Sequence, residues 1–205
     1  MICIIDYGAI NLGSLKNSLD ELNIKFEIKK KPTNLKKFSH VILPGVGNFG
    51  IASLKLQKWR THIYEFVSDK KYLLGICLGM QLLFETSQEN NKKKSRGLGL
   101  IEGHVSKLPQ KKGFQIPHMG WNNIDLLKSH NLFRGIDMNI DFYFAHSFYC
   151  KPENDNYTFG QTNYIKQIPT IVIKKNIIGI QFHPEKSYSV GKKLLTNFYK
   201  LGSNA

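Results

Sequence analysis

The sequence predicts an α/β fold in which a mostly parallel sheet is flanked by helices and followed by a β-rich second half. In the first half, apolar runs of strand length alternate with segments that carry apolar residues at helical spacing. This alternation is typical of a parallel sheet covered on both faces. In the second half, shorter strand-like segments are separated by turn residues. Because there is no internal repeat or linker, we expect residues 1–205 to form a single domain.

The first half contains four predicted strands and three helical segments. We predict strands over residues 2–5, 24–28, 40–43 and 72–76. We predict one helix around residues 12–22, a second in two pieces over residues 49–69, and a third after Cys77. In a parallel sheet the site lies beyond the carboxyl ends of the strands, where we place Asp6, residues 44–47 and Cys77.

The second half begins with a polar segment, residues 90–99, that we predict to be a loop. A final helix is predicted from about residue 190 to residue 201. Between these two segments the strand predictions cover residues 98–108, 122–126, 142–149, 157–162, 169–173 and 177–182.

The composition is that of a globular protein, with 41% apolar residues. No apolar run approaches the roughly 20 residues that a membrane span needs, and the predicted first strand follows Met1 directly, so we expect no signal peptide. Three widely spaced cysteines, Cys3, Cys77 and Cys150, favour a reducing cytoplasm over a disulfide framework. We predict no metal site, since no Cys/His cluster has zinc spacing, and we expect no cofactor.

The net charge of +14 is compatible with nucleic-acid binding. However, the lysines form small clusters at predicted loops, without the interleaved aromatic residues of a stacking surface. The pattern therefore favours a phosphorylated ligand or an acidic partner protein over nucleic acid.

The segment that organises the chain is Gly-x-Cys-x-Gly, residues 75–79, between the fourth strand and a helix. A nucleophile on a sharp strand-to-helix turn needs small residues two before and two after it, because the chain folds back on itself there. The N–H groups and dipole at the start of the helix favour a thiolate. A buried structural cysteine between two loop glycines is the alternative.

A cysteine nucleophile needs a base and a group that orients the base. His183 follows a predicted strand, and Pro184 biases it toward an extended backbone. Glu185 can return to the imidazole and hold its tautomer. Taken alone, His-x-Glu beside a proline is more typical of a surface histidine, but together with Cys77 it indicates a catalytic pair.

Residues Pro44-Gly45-Val46-Gly47 at the end of the third predicted strand are suited to an oxyanion site, in which backbone N–H groups meet a developing negative charge. Glycines at positions 45 and 47 permit backbone shapes that turn amides inward. An ordinary glycine-rich turn is the alternative. The segment matches neither a dinucleotide-binding nor a P-loop pattern.

These three motifs together resemble those of class I glutamine amidotransferases. Further markers of the family are Leu-Ile-Glu-Gly at residues 100–103, Pro-His-Met-Gly-Trp-Asn at residues 117–122, and Tyr-Phe-Ala-His-Ser-Phe at residues 143–148. The resemblance extends almost from end to end, and it implies a flavodoxin-like sheet.

The resemblance implies a role for each motif. Cys77 would attack the carboxamide of glutamine, His183 would act as general base and acid, and Glu185 would orient it. The oxyanion site would be lined by Gly45, Val46 and Gly47. The amino-acid end of glutamine would be held by Gln81, Glu89, His146, Ser147 and Phe148.

The resemblance also implies a cytoplasmic heterodimer with a (β/α)₈-barrel synthase that receives the ammonia, and it implies hydrolase and lyase chemistry. Positions that match the interface with that partner are Asn11, Trp121, Asn122, Tyr143 and Lys186. For Trp121 and Tyr143, packing in the core is the alternative.

One segment departs from the family pattern, because Gly8-Ala9-Ile10-Asn11 stands where Gly-x-Gly-Asn is usual. Ile10 therefore leaves the exact partner open. The ammonia acceptor could belong to histidine synthesis or to the amidination of a surface sugar. A non-catalytic regulatory or nucleic-acid-binding protein built on this fold is a third hypothesis.

Overall fold

The computed structural model describes residues 1–10, 12–89, 95–137 and 140–202. Its strands, in chain order, are β1 (Ile2–Ile5), β2 (Phe26–Lys29), β3 (His40–Gly45), β4 (Tyr72–Cys77), β5 (Thr86–Ser87), β6 (Ser95–Arg96), β7 (Gly103–Lys107), β8 (His118–Asn122), β9 (Asp125–Leu126), β10 (Phe142–His146), β11 (Phe148–Pro152), β12 (Thr158–Tyr164), β13 (Lys166–Lys174) and β14 (Ile177–Ile180). Its α-helices are α1 (Gly13–Glu21), α2 (Phe49–Leu56), α3 (Arg60–Ser68), α4 (Leu78–Leu82) and α5 (Tyr188–Lys200). Short 3₁₀ helices cover Gln57–Trp59, Asn131–Phe133, Asp155–Tyr157 and Pro184–Lys186.

The main sheet has eight strands in the order β2-β1-β3-β4-β14-β13-β12-β9. The first five strands of this order run parallel, and the last three continue the sheet in antiparallel pairs. The parallel part has the strand order of flavodoxin-like folds. The predicted α/β fold is confirmed, with a sheet that is mixed because hairpins extend it beyond β14.

Both faces of the main sheet are buried, as a parallel sheet requires. Alternate residues of β1 contribute to two different cores, since successive side chains of a strand point to opposite faces. Cys3 and Ile5 pack with α2, α3 and α4, whereas Ile2 and Ile4 pack with α1 and α5. The sheet is therefore a layer between two groups of helices.

Two smaller sheets cover the carboxyl edge of the main sheet. One consists of β8 and β10 in antiparallel pairing, and the other has the order β11-β7-β5-β6. β10 and β11 are separated only by Ser147, so the chain passes from one small sheet to the other beside the end of β4.

Several predicted boundaries differ from the structure. The helix after Cys77 ends already at Leu82, because the amides of Leu98 and Leu100 donate to the carbonyls of Leu82 and Leu83 and so replace a further helical turn. The strand predicted over residues 98–108 is confined to β7 for the same reason. The predicted loop over residues 90–99 lies partly outside the described residues.

Candidate active site

The turn from β4 into α4 places Cys77 at the carboxyl edge of the sheet. Its backbone has φ 53° and ψ −110°, a left-handed conformation that is uncommon for residues other than glycine. A Cβ atom on Gly75 would lie 2.6 Å from the carbonyl oxygen of Gly79, and one on Gly79 would overlap the carbonyl oxygen of Leu43. Both glycines are therefore required by the close approach of α4 to β3 and β4.

His183 reaches Cys77 because β14 lies next to β4 in parallel register, with Ile180 opposite Ile76. The backbone amide of His183 donates to the carbonyl of Tyr143 at 2.8 Å, which anchors the residue beyond the strand end. Its Nδ1 lies 2.8 Å from Oε1 of Glu185, and His183 and Cys77 line the same cavity. The structure thus brings the three predicted residues together at one edge of the sheet.

The charge of His183 follows from these contacts. Burial by itself lowers the pKa of His183, but the hydrogen bonds to Cys77 and Glu185, with their negative charges, outweigh burial and raise the pKa to about 10. The imidazole is therefore positively charged at neutral pH. Within the described part of the chain, the second oxygen of Glu185, Oε2, is buried without a hydrogen-bond partner.

Gln181 also contacts the sulfur, and sequence reasoning did not assign it a role. Its Nε2 donates to Sγ of Cys77 at 3.6 Å, and the residue is fully buried. The carbonyl oxygen of Ala145 lies 3.9 Å from the same sulfur. The signal that could have identified Gln181 is its position two residues before His183, since alternate residues of an extended segment share a face.

A cavity of about 340 Å³ opens at Cys77 and His183. This volume is within the range of small-molecule binding sites. All five residues predicted to hold glutamine line it: Gln81, Glu89, His146, Ser147 and Phe148. Four of them are already hydrogen-bonded within the protein. Gln81 donates to the carbonyl of Phe148 at 3.1 Å, Glu89 accepts from the amide of Phe49 at 2.5 Å, and His146 bonds with the same Phe148 carbonyl at 2.8 Å.

The predicted oxyanion segment lies beside the sulfur, since Gly45 is opposite Cys77 in the register of β3 and β4. Val46 and Gly47 line the cavity, and Gly47 has φ 90°. The amide of Val46 donates to the carbonyl of Ala9 at 3.0 Å. In this conformation the Val46 amide is therefore not directed at the cavity.

Three of the residues predicted to face a partner, Trp121, Tyr143 and Lys186, lie together next to the cavity. Trp121 is 43% exposed and stacks on Tyr188, which is 76% exposed, with ring centroids 4.9 Å apart. The ammonium group of Lys186 lies 5.2 Å from the ring centre of Tyr143. Core packing, the alternative for Trp121, is excluded by its exposure. Asn122 contacts His118 at 3.3 Å, and Asn11 lies outside the described residues.

The side chains that most often bind metal ions in proteins include those of His, Cys, Asp and Glu. Within residues 1–10, 12–89, 95–137 and 140–202, no three of them are placed to do so. Cys3, Cys77 and Cys150 are all buried and carry free thiols. Among the described helices, none is both long and apolar enough to cross a membrane.

An α/β sheet that places a cysteine on a strand-to-helix turn, in one cavity with a histidine that is paired with a glutamate, is typical of enzymes with a cysteine nucleophile and a catalytic triad. Residues 3–201 match the family model described as glutamine amidotransferase class-I. The chain belongs to this family.

Individual relatives indicate which members of the family this chain is similar to. The imidazole glycerol phosphate synthase subunit HisH of Methanocaldococcus jannaschii is 44% identical over 98% of this chain and 100% of its own length. The subunit of the same name from Bacillus subtilis is 40% identical over 99% of this chain and 97% of its own length. Among solved structures, PurLQS from Thermotoga maritima has a TM-score of 0.76 at 18% identity over 97% of both chains, which is a likeness of fold.

The expected lyase chemistry is wrong for this chain. The family and the relatives are glutamine amidotransferases, and the release of ammonia from a carboxamide is a hydrolysis, in which water replaces the nitrogen. The relatives are named as subunits, so the proteins that this chain resembles are parts of a larger enzyme.

Proposed function

We propose that this protein is the glutaminase subunit of an imidazole glycerol phosphate synthase and hydrolyses glutamine to glutamate and ammonia. The observation that carries the proposal is His183, which lines one cavity together with Cys77 and lies 2.8 Å from Glu185. The relatives' names favour the histidine pathway over a surface sugar as the destination of the ammonia.

The first half of the reaction forms a thioester. The sulfur of Cys77 attacks the side-chain carbonyl carbon of glutamine, and a C–S bond forms. The positively charged His183 gives its proton to the departing nitrogen, the C–N bond breaks, and ammonia leaves. Glu185 keeps the Nδ1 proton on its own side of the ring, so that the other ring nitrogen faces the sulfur.

The second half restores the enzyme. Water attacks the carbonyl carbon of the thioester, and neutral His183 accepts a proton from that water. The C–S bond then breaks, and glutamate leaves with the oxygen of the water in its new carboxylate. The sum is glutamine plus water to glutamate plus ammonia. We propose that Gly45, Val46 and Gly47 supply the oxyanion site, which requires the Val46 amide to exchange its bond to Ala9 for one to the substrate.

The walls of the cavity support the substrate assignment. Its lining combines a carboxylate, Glu89, with the amide of Gln81 and the polar segment from His146 to Phe148. These groups are suited to the charged amino and carboxylate ends of an amino acid. We propose that they bind these ends of glutamine and direct its carboxamide to Cys77.

The partner that we propose is a (β/α)₈-barrel synthase that binds over the exposed Trp121, Met119 and Tyr188 and receives the ammonia directly. Three large exposed apolar side chains on one edge are typical of an interaction surface. Asn11, Asn122, Tyr143 and Lys186 would complete it. We place the heterodimer in the cytoplasm, where free thiols persist, and we propose one domain over residues 1–205, because the main sheet takes strands from both halves.

The test is ammonia release from glutamine by the chain alone and with the barrel partner and its nucleotide ligand. We expect weak hydrolysis alone and a large rise in the complex. Absence of hydrolysis in the complex would overturn the proposed chemistry, and hydrolysis stimulated only by a sugar-pathway partner would overturn the proposed acceptor.

A further inference from the structure

Two buried histidines outside the triad form a pair. His118 and His146 are 3% and 5% exposed, and they are directly opposite each other in the register of β8 and β10. Nδ1 of His118 lies 3.0 Å from Nε2 of His146. His146 lines the glutamine cavity, whereas His118 lies behind it.

The direction of each hydrogen bond in this pair follows from one carbonyl group. Nδ1 of His146 lies 2.8 Å from the carbonyl oxygen of Phe148 and must carry the hydrogen, because a carbonyl only accepts. Nε2 of a neutral His146 is then an acceptor, so His118 donates from its own Nδ1. The remaining nitrogen of His118, Nε2, accepts from the amide of Asn122 at 3.3 Å.

The surroundings hold both rings neutral and His118 in a fixed plane. The ring of His118 lies between those of Phe144 and Tyr164, at centroid distances of 4.7 and 3.9 Å and within 18° of parallel to each. Burial lowers the pKa of His118 to about 4 and, together with the neighbouring His118, lowers the pKa of His146 to about 3.

The line of bonds continues from this pair to the sulfur. The Phe148 carbonyl also accepts from Nε2 of Gln81, which in addition donates to Oε1 of Gln181 at 3.1 Å. Gln181 in turn donates to Cys77. An unbroken series of hydrogen bonds therefore runs from Asn122 on β8, through the cavity wall, to the sulfur.

We propose that His118 is a positioning residue for glutamine binding: it fixes the tautomer and ring orientation of His146 and, through it, the Phe148 segment of the cavity wall. The inference rests on the proposed glutaminase function. Since His118 touches neither the sulfur nor the triad, its contribution appears in the KM for glutamine and not in kcat.

A matched pair of variants separates the two bonds of His118. In His118→Asn the amide nitrogen reaches the place of Nδ1 and keeps the donor to His146, whereas in His118→Gln it reaches the place of Nε2 and loses that donor. In the complex with the barrel partner, we expect His118→Gln to raise the KM for glutamine roughly 3- to 10-fold, as for one lost hydrogen bond. We expect kcat to change less than about twofold, and the KM of His118→Asn to stay within about twofold of the unaltered chain.

A second variant and a spectroscopic measurement keep the test decisive if His118→Gln folds poorly. His118→Phe retains the stacking between Phe144 and Tyr164 but loses both hydrogen bonds, so it should raise KM as His118→Gln does. Nitrogen NMR of the unaltered full chain should show a proton on Nδ1 and none on Nε2 in both histidines.

The outcomes distinguish this inference from the proposed function. If the unaltered complex releases no ammonia from glutamine, the proposed function fails. If it does, an unchanged KM in a folded His118→Gln or His118→Phe variant overturns the inference. A KM in His118→Asn equal to that of His118→Gln, or the opposite tautomers by NMR, would overturn it as well.

Discussion

His183 and His146 are both buried histidines on the wall of the same cavity, yet at neutral pH His183 is positively charged and His146 is neutral. The pKa of His183 is raised to about 10, whereas that of His146 is lowered to about 3. Burial lowers the pKa in both cases. The difference comes from their partners: a carboxylate and a sulfur at His183, a carbonyl and a neutral imidazole at His146.

This contrast shows how one residue type serves two purposes within one cavity. At the carboxyl edge of the parallel sheet, His183 has charged partners, which keep a transferable proton on its ring. His146 has only neutral hydrogen-bond partners, the ring of His118 and the carbonyl of Phe148, so each of its hydrogen bonds has a fixed direction. The predictions below test each side of this comparison.

The largest effect is expected at the sulfur. Cys77→Ala should reduce ammonia release from glutamine roughly 1,000-fold or more, because the covalent route is lost. Cys150→Ala is the matched control, since Cys150 is equally buried but does not line the cavity, and it should retain activity. Full activity of Cys77→Ala in the complex with the barrel partner would remove the triad from the mechanism.

Glu185→Gln should lower kcat about 100-fold, because a neutral amide no longer holds the imidazole in its charged and oriented form. It should also change the alkaline stability. The pKa of His183 is about 10 in the folded chain and 6.5 in the unfolded chain. The proton on His183 therefore stabilises the folded chain fully below pH 6.5, and this stabilisation is lost as the pH rises through about 10.

The unaltered chain should therefore lose unfolding free energy between pH 7 and 10, and Glu185→Gln should lose less. Denaturant unfolding at several pH values measures both. Equal alkaline losses in the two proteins would show that Glu185 does not hold the charge of His183.

Gly79→Ala should destabilise the fold by about 2 to 3 kcal/mol, because its methyl group would overlap the carbonyl oxygen of Leu43. Gly113→Ala is the control: no atom lies within 4 Å of its added Cβ, and φ is 87°. It should cost only about 1 kcal/mol of backbone strain. Urea unfolding measures the free energy of unfolding of both variants. An equal loss in the two would show that the turn at Cys77 does not depend on the close approach of α4 to β3.

The smallest effect concerns acid. The pKa of His118 is about 4 in the folded chain and 6.5 in the unfolded chain. The neutral ring of His118 therefore stabilises the folded chain above pH 6.5, and this stabilisation is lost as the pH falls toward 4. Between pH 6.5 and 5.5 this loss is on the order of 1 kcal/mol for each buried neutral histidine. His118→Phe should show a shallower decline in unfolding free energy than the unaltered chain, and an identical decline would mean that His118 is not held neutral.

The sequence was sufficient for the parts of the molecule that depend on local pattern. Alternating apolar strands and amphipathic helices predicted the α/β fold, and strand ends predicted that Cys77 and His183 meet at one edge. The antiparallel extension beyond β14 and the early end of α4 were not predicted, because they depend on pairing between distant segments. The His118–His146 pair was missed for the same reason, since it forms only when β8 and β10 are brought into register, whereas Gln181 had a local signal in its position two residues before His183.

The backbone at Cys77 has a consequence for how this position can change over time. A left-handed conformation costs about 1 to 3 kcal/mol for any residue with a Cβ atom, and glycine would avoid most of it. Selection for a more robust fold would therefore replace the cysteine with glycine. The sulfur of Cys77 therefore stands at a place where the chain would be more stable with glycine.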